Sequence, residues 1–91
     1  MRDDNRYQHD KIIRKNIGFF IRKSRLNKSL SGFQLGRLIN VSQQQISRYE
    51  NGNTSLNIET LNAIFKVLDV SWRDFLCKIF YVEVFDNDDK K

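Results

Sequence analysis

Two short helical segments, each opened by a serine and joined by the turn Asn-Val-Ser, constrain the fold more than any other feature. Ser31 and Gln34 have the S-x-x-Q spacing of a capping box, which predicts a helix over residues 32–39. Ser42 is suited to cap the next helix, predicted over residues 43–50, and the Asn-Gly pair that follows can end it. The sequence therefore predicts two short helices separated by a tight turn.

Apolar residues at helical spacing predict three further helices, over residues 10–27, 58–68 and 72–78. Asp10 is the predicted N-cap of the first of these helices. Residues 79–85 are rich in aromatic and β-branched side chains, which is typical of a strand, although continuation of the last helix is the alternative. We therefore expect an all-α, five-helix domain with a C-terminal extension that contains a strand.

The chain has 91 residues, which is enough for one small domain and too few for two. We expect a polar leader over residues 1–9, a helical domain over residues 10–78 and a C-terminal segment over residues 79–91 with an apolar start and an acidic end. A strand over residues 79–85 could pair with its copy in a second chain and bury an aromatic patch. The alternative is that this segment folds back over the first and fifth helices.

The composition excludes several classes of protein. Hydrophobic residues make up 40% of the chain, which is too many for a chain disordered by composition. No apolar run approaches the roughly 20 residues that span a bilayer, and the N-terminus lacks a signal peptide's apolar core, so we expect a cytoplasmic protein with no membrane partner. A single cysteine, Cys77, and a single histidine, His9, provide neither a zinc site nor a nucleophile with its base. We therefore expect no enzymatic activity and no cofactor.

Positive charge is concentrated before the two short helices. The net charge is +5, and the acidic residues collect near both ends of the chain. The basic residues of the intervening segment are Arg14, Lys15, Arg22, Lys23, Arg25 and Lys28. Such a segment favours a polyanionic partner, most often nucleic acid, and a solvated helix face is the alternative. If Lys23 and Lys28 reach phosphate, replacing either should lower the salt dependence of binding.

The helix predicted over residues 43–50 has an unusual outer face. With Ile46 pointing to the core, Gln44 and Arg48 fall at about 160° and 200° from it, on the outermost line of the helix. Gln45 and Ser47 flank that line. Glutamine can pair with adenine through two hydrogen bonds in the major groove, and arginine can pair with guanine in the same way. This face is therefore a candidate for reading DNA bases.

The same segment carries a family resemblance. The residues that carry it are the S-x-x-Q box, the small Gly36, Val-Ser before the next helix, Ile-Ser-Arg-Tyr-Glu-Asn-Gly, and the stretch SLNIETLNAIFKVLDVSWRDFL. Taken together, residues 17–76 closely resemble the Cro/C1-type (XRE-like) helix-turn-helix domain of phage repressors and bacterial regulators. More narrowly, VSQQQISRYENG with VSWRDFL resembles the MrpJ-type regulators of fimbrial operons.

The resemblance implies a five-helix, phage-repressor-like domain that binds double-stranded DNA. The second helix would lie across the DNA backbone, and the third would enter the major groove. Gln43, Gln44 and Arg48 would then meet bases, with Ser42 and Gln45 near the backbone. Ser47 belongs to the same DNA-binding face.

Further implied contacts go to phosphate. Relatives often begin the second helix with a glutamine that holds a phosphate, and here Gly32 stands in its place, so we expect its backbone N–H to keep a weaker contact. The complete set of implied phosphate contacts is Ser31, Gly32, Gln34, Asn51, Asn53 and Thr54. The resemblance also implies a buried ion pair between Arg25 and Glu50 that orients the third helix.

Family members bind palindromic half-sites as dimers. The resemblance therefore implies a homodimeric transcriptional regulator on an inverted-repeat operator, with residues 79–85 as the candidate dimerisation element. An antitoxin of a toxin–antitoxin pair that uses the same domain is the alternative function. No sensor domain follows residue 85 in this sequence, so we expect no small-molecule effector.

Overall fold

The computed structural model describes the backbone of residues 2–80 and the side chains of residues 8–79. This part of the chain is all-α, with five helices and no strand. The helices are α1 (Arg2–Asn27), α2 (Gly32–Ile39), α3 (Gln43–Glu50), α4 (Ile58–Leu68) and α5 (Trp72–Phe80). No helix among the described residues is both long enough and apolar enough to cross a membrane.

The start of α1 differs from the sequence prediction. The helix begins at Arg2, so the prediction of a start near Asp10 is wrong, and most of the predicted polar leader is helical. No glycine or proline lies between these two residues. Since adding a residue to an existing helix costs little, a residue suited to N-capping does not by itself end the helix there.

The short helices α2 and α3 have the bounds predicted from their caps. The Ser31 hydroxyl accepts a bond from the Gln34 N–H, and the Gln34 side chain accepts one from the Ser31 N–H, which completes the capping box. The Ser42 hydroxyl accepts from the Gln45 N–H at 3.0 Å. Between the two helices, Asn40 takes a left-handed conformation with φ 64°, and this allows the tight turn.

The C-terminal end of the described chain corrects the strand prediction in part. Helix α5 runs past the predicted end at Lys78 to Phe80, so residues 79 and 80 are helical and the strand prediction is wrong for them. Ile79 packs against the core from this helix, which favours the helix over the local strand preference. The rest of the predicted strand, residues 81–85, lies outside the described residues.

All five helices contribute buried side chains to one core. Its buried members are Ile21, Leu35, Ile46, Tyr49, Leu61, Ile64, Phe65, Leu68 and Phe75. Phe65 lies at the centre of an aromatic cluster, with ring centroids 4.9 Å from those of Trp72 and Phe75 and 5.9 Å from that of Phe20. These rings fix α4 and α5 against α1, and α1 in turn supports α3.

Two glycines set the position of α3. A Cβ on Gly36 would lie 2.5 Å from the carbonyl oxygen of Val41, so the turn packs directly on the α2 backbone. A Cβ on Gly18, in the middle of α1, would overlap the carbonyl oxygens of Tyr49 and Glu50. The glycines therefore allow α3 to be held between α2 and α1 at backbone contact distance.

Candidate nucleic-acid interface

Helix α3 presents one buried face and one polar, exposed face. Ile46, Tyr49 and Glu50 are buried. The outer face carries Ser42, Gln43, Gln44, Ser47 and Arg48, all exposed, with Gln45 half-buried. Because α3 spans only eight residues, its outer face covers little more than two helical turns.

The caps leave donors free to bind an external ligand. The Ser42 oxygen accepts from the Gln45 N–H, and this leaves its O–H able to donate outward. Ser31 and Gln34 are exposed, and their capping box uses acceptor oxygens, so the Gln34 amide NH₂ can also donate. These groups suit contact with an anion.

A buried ion pair ties α3 to α1. Arg25 donates from Nε to Glu50 Oε2 at 2.7 Å and from Nη2 to Glu50 Oε1 at 2.9 Å, and its Nη1 donates to the Leu30 carbonyl at 2.8 Å. Both residues are less than 9% exposed. The hydrogen bond to Glu50 raises the pKa of Arg25, whereas desolvation lowers it. The resemblance implied this contact, and the pair spans the two helices on the core side of α3.

A small polar cleft lies beside this pair, between α1, the start of α2 and α3. We name it the interhelix cleft, and its volume is about 190 Å³. Its lining residues are Arg22, Arg25, Gly32, Gln43, Ile46, Ser47, Glu50 and Asn51. Four of the predicted DNA-contact residues therefore meet in one cleft: Gly32, Gln43, Ser47 and Asn51.

The remaining predicted phosphate contacts lie outside the cleft. Ser31 and Gln34 are at the exposed start of α2. Asn53 is exposed and Thr54 is half-buried, and both are in the connection between α3 and α4. That connection turns at Gly52, whose φ is 73°.

The basic residues of α1 and of the turn that follows it have neighbours on different sides of the domain. Arg14 donates to the Gly52 carbonyl at 3.4 Å, at the end of α3. Lys23 lies over the ring of Phe19, 5.7 Å from its centroid, on the wall of a separate groove between α1 and α5. Lys28 is 3.8 Å from Asp69, at the end of α4. The two lysines that the sequence suggested for phosphate therefore have other neighbours.

Sequence reasoning did not identify Arg22 as a candidate site residue. Its Nη1 lies 3.8 Å from Glu50 Oε1, and its side chain is 57% exposed. Arg22 lies one turn before Arg25 on α1, which is the spacing of helical neighbours. The resemblance already implied that Arg25 pairs with Glu50, and a basic residue one turn before Arg25 could therefore have been expected near Glu50 as well.

Comparison with known proteins agrees with this geometry. A family model described as "Helix-turn-helix" matches residues 21–75, from the middle of α1 into α5. The chain belongs to the helix-turn-helix family. In this helix-turn-helix protein, α2 and α3 are the two helices of the motif, and residues 40–42 connect them.

Two individual proteins are similar to this helix-turn-helix protein. The antitoxin PezA of Streptococcus pneumoniae serotype 4 is 32% identical over 60 residues, which cover 66% of this chain and 38% of PezA. The chain thus spans well under half the length of that relative. The crystal structure of the clp gene regulator ClgR from Corynebacterium glutamicum superposes with a TM-score of 0.75 at 22% identity, covering 86% of this chain and 83% of ClgR. The likeness to ClgR concerns the fold.

Proposed function

We propose that this chain is a sequence-specific transcriptional regulator that binds an inverted-repeat operator as a homodimer, with α3 in the major groove. Membership of the helix-turn-helix family supports DNA binding and transcription regulation as the general function. The single observation that carries the specific proposal is the exposed amide and guanidinium face of α3 on a helix whose other face is buried. We expect such a protein to act in the cytoplasm, on chromosomal DNA.

The chemistry of the outer face supports direct base readout. Gln44 and Arg48 are four residues apart and therefore neighbours on the exposed side of α3. A glutamine amide matches the donor and acceptor of adenine in the major groove, and an arginine fork matches the two acceptors of guanine. We propose that Gln43, Gln44 and Arg48 read bases, and that Ser42, Gln45 and Ser47 lie near the backbone.

The start of α2 supports the backbone contacts. The exposed first turn of α2 presents N–H groups that have no partner within the helix, and such groups favour phosphate. We propose that Ser31, Gly32 and Gln34 contact phosphate there. Asn51, Asn53 and Thr54 would contact the backbone from the other end of α3, where uncharged donors give position without sequence readout.

A groove between α1 and α5 supports dimerisation. Its volume is about 610 Å³, and Phe19, Phe20 and Ile79 contribute apolar side chains to it. Phe19 is 62% exposed, so the apolar surface of the groove continues onto the outside of α1, and contiguous apolar surface of this kind is typical of protein interfaces. We propose that the dimer forms beside this groove and includes residues 79–85.

One experiment tests the dimer directly. Sedimentation velocity should compare the full chain, a full chain with Phe19→Ser and one with Leu38→Ser, because Leu38 is similarly exposed but lies on α2. The proposal predicts a dimer that Phe19→Ser weakens and Leu38→Ser leaves intact. A full chain that stays monomeric at the concentrations that bind DNA would contradict it.

The antitoxin function is the second candidate, and the similarity to PezA favours it. An antitoxin would bind a protein toxin in addition to DNA. Co-expression with the protein encoded next to it, followed by copurification, tests this candidate. If this chain forms a stable complex with a growth-arresting protein and inhibits that protein, the result favours the antitoxin function. Operator binding without such a partner favours the function of a transcriptional regulator. The narrower resemblance to MrpJ-type regulators stays a prediction.

Selection of bound duplexes from a random DNA pool tests the main proposal. The full chain should enrich an inverted repeat whose half-sites lie about one helical turn apart, about 10 base pairs from centre to centre. Enrichment of a single half-site would retain base readout but contradict the dimer. Absence of any enriched sequence would contradict sequence-specific binding.

A further inference from the structure

We propose that Arg22 binds a phosphate of the DNA backbone at the interhelix cleft. The inference rests on the proposed function and adds to it a residue on α1, outside the two helices of the motif. It gives the basic segment of the sequence a specific point of contact.

The fold uses the charge of Arg22 only in part. Arg25 already gives Glu50 two short hydrogen bonds, so the carboxylate is neutralised by one guanidinium. Arg22 stands 3.8 Å from the same carboxylate, beyond hydrogen-bond length, and 57% of its side chain is exposed. The three residues therefore carry a net charge of +1, and the surplus lies on the exposed Arg22.

The cleft beside Arg22 is open because Gly32 has no side chain. A Cβ at this position would already touch Gln43 Cγ at 3.7 Å and Ile46 Cγ2 at 3.8 Å. A longer side chain would extend from that point into or across the cleft. With glycine at position 32 the cleft stays open to side chains from α1 and α3. Among the residues that line the cleft, Arg22 is the exposed charged one.

The polar walls complete a site for an anion. Ser47 and Asn51 are exposed and lie on the cleft side of α3, with Asn51 Nδ2 donating to Ser47 Oγ at 3.3 Å. The Ser47 hydroxyl and the second amide hydrogen of Asn51 remain able to donate. The buried Glu50 carboxylate, only 4% exposed, forms the floor and is shielded by Arg25. A phosphate above it would meet Arg22 and these donors first.

The position of the cleft fits the proposed docking. It opens between the start of α2, which lies across the backbone in helix-turn-helix complexes, and α3, which enters the groove. A phosphate bound there would be contacted from α1 as well as from the two helices of the motif. Arg22 would thus fix the angle at which α3 enters the groove, in addition to supplying affinity.

The salt dependence of binding tests the inference, with Lys66 as a matched control. Arg22→Gln and Lys66→Gln each remove one positive charge from an exposed residue, but Lys66 lies on α4 and lines neither the interhelix cleft nor the groove between α1 and α5. Binding of the full chain to a random-sequence duplex should be measured between about 50 and 200 mM salt, the range over which backbone contacts dominate. For Arg22→Gln the slope of log K against log salt should fall by about one for each bound subunit, hence by about two for a dimer, and for Lys66→Gln it should match the unsubstituted protein.

A second variant separates contact from folding. Arg22→Lys keeps the charge and should restore most of the slope. Circular dichroism and the urea midpoint should show that all three variants fold. An unchanged slope for Arg22→Gln, or an equal fall for Lys66→Gln, would overturn the role of Arg22 while DNA binding itself stands. Salt-independent or absent binding by the unsubstituted protein would instead overturn the proposed function.

Discussion

Gly18 and Glu50 bring α1 and α3 into direct backbone contact, since any Cβ on Gly18 would overlap the Glu50 carbonyl oxygen. The same two helices are joined about two turns further along α1 by the bonds from Arg25 to the Glu50 side chain. Glu50 is therefore held through both its backbone and its carboxylate. This double contact fixes the C-terminal end of α3, and with it the direction of the exposed face.

Gly18→Ala should destabilise the fold, although alanine is usually better than glycine in a helix by about 1 kcal/mol. The added methyl group would force α1 away from α3, and overpacking of this kind costs about 1–3 kcal/mol in free energy of unfolding. Urea denaturation measures the change. Gly32→Ala is the control, because its Cβ would meet only ordinary contacts at 3.7 Å and 3.8 Å. Equal stability of the two variants would contradict the close approach.

Glu50→Ala should leave Arg25 buried without its carboxylate and lower the free energy of unfolding by about 3–5 kcal/mol. The exposed pair between Lys28 and Asp69 provides the comparison, since its atoms are 3.8 Å apart and both side chains are largely in solvent. Lys28→Ala should change stability by at most about 1 kcal/mol. Urea unfolding of both variants measures the difference, and a Glu50→Ala variant as stable as Lys28→Ala would show that the pair does not hold α3.

Gln44→Ala should weaken binding to the selected operator by about 1–3 kcal/mol for each half-site, the discrimination typical of one paired side chain and base. Binding to random duplex should be nearly unchanged, because the side chain is neutral and contacts no phosphate in this account. Arg48→Ala should lose a similar amount at the operator. Competition titrations with operator and random duplex separate the two effects. Losses of equal size on both duplexes would assign these residues to the backbone.

The helix bounds that the sequence predicted well are those with local signals. Caps at Ser31 and Ser42 define where α2 and α3 begin, because a cap is a contact within four residues and needs no tertiary structure. Asp10 is also a residue suited to N-capping, but it lies inside α1. A capping residue can begin a helix but does not stop the helix from extending further towards the N-terminus. A helix-breaking residue such as proline or glycine would be needed to stop it.

The candidate site was predictable on α3 and not on α1. Helical periodicity alone gives the exposure of Gln44 and Arg48, since the apolar residues of α3 identify its buried face. Arg22 and Lys23 are adjacent in sequence and alike in charge, yet one faces Glu50 and the other Phe19. That difference depends on how α1 is rotated against α3 and α5, which long-range packing decides.

The central claim is that α3 reads bases in the major groove, and modified operators test it most directly. Replacing each purine of the selected half-site in turn by its 7-deaza analogue removes the N7 acceptor from the major groove and keeps Watson–Crick pairing. We expect one 7-deazaguanine substitution to weaken binding of the unsubstituted protein but not of Arg48→Ala. We also expect one 7-deazaadenine substitution to weaken binding of the unsubstituted protein but not of Gln44→Ala. Full affinity for every 7-deaza operator would contradict readout by α3 in the major groove.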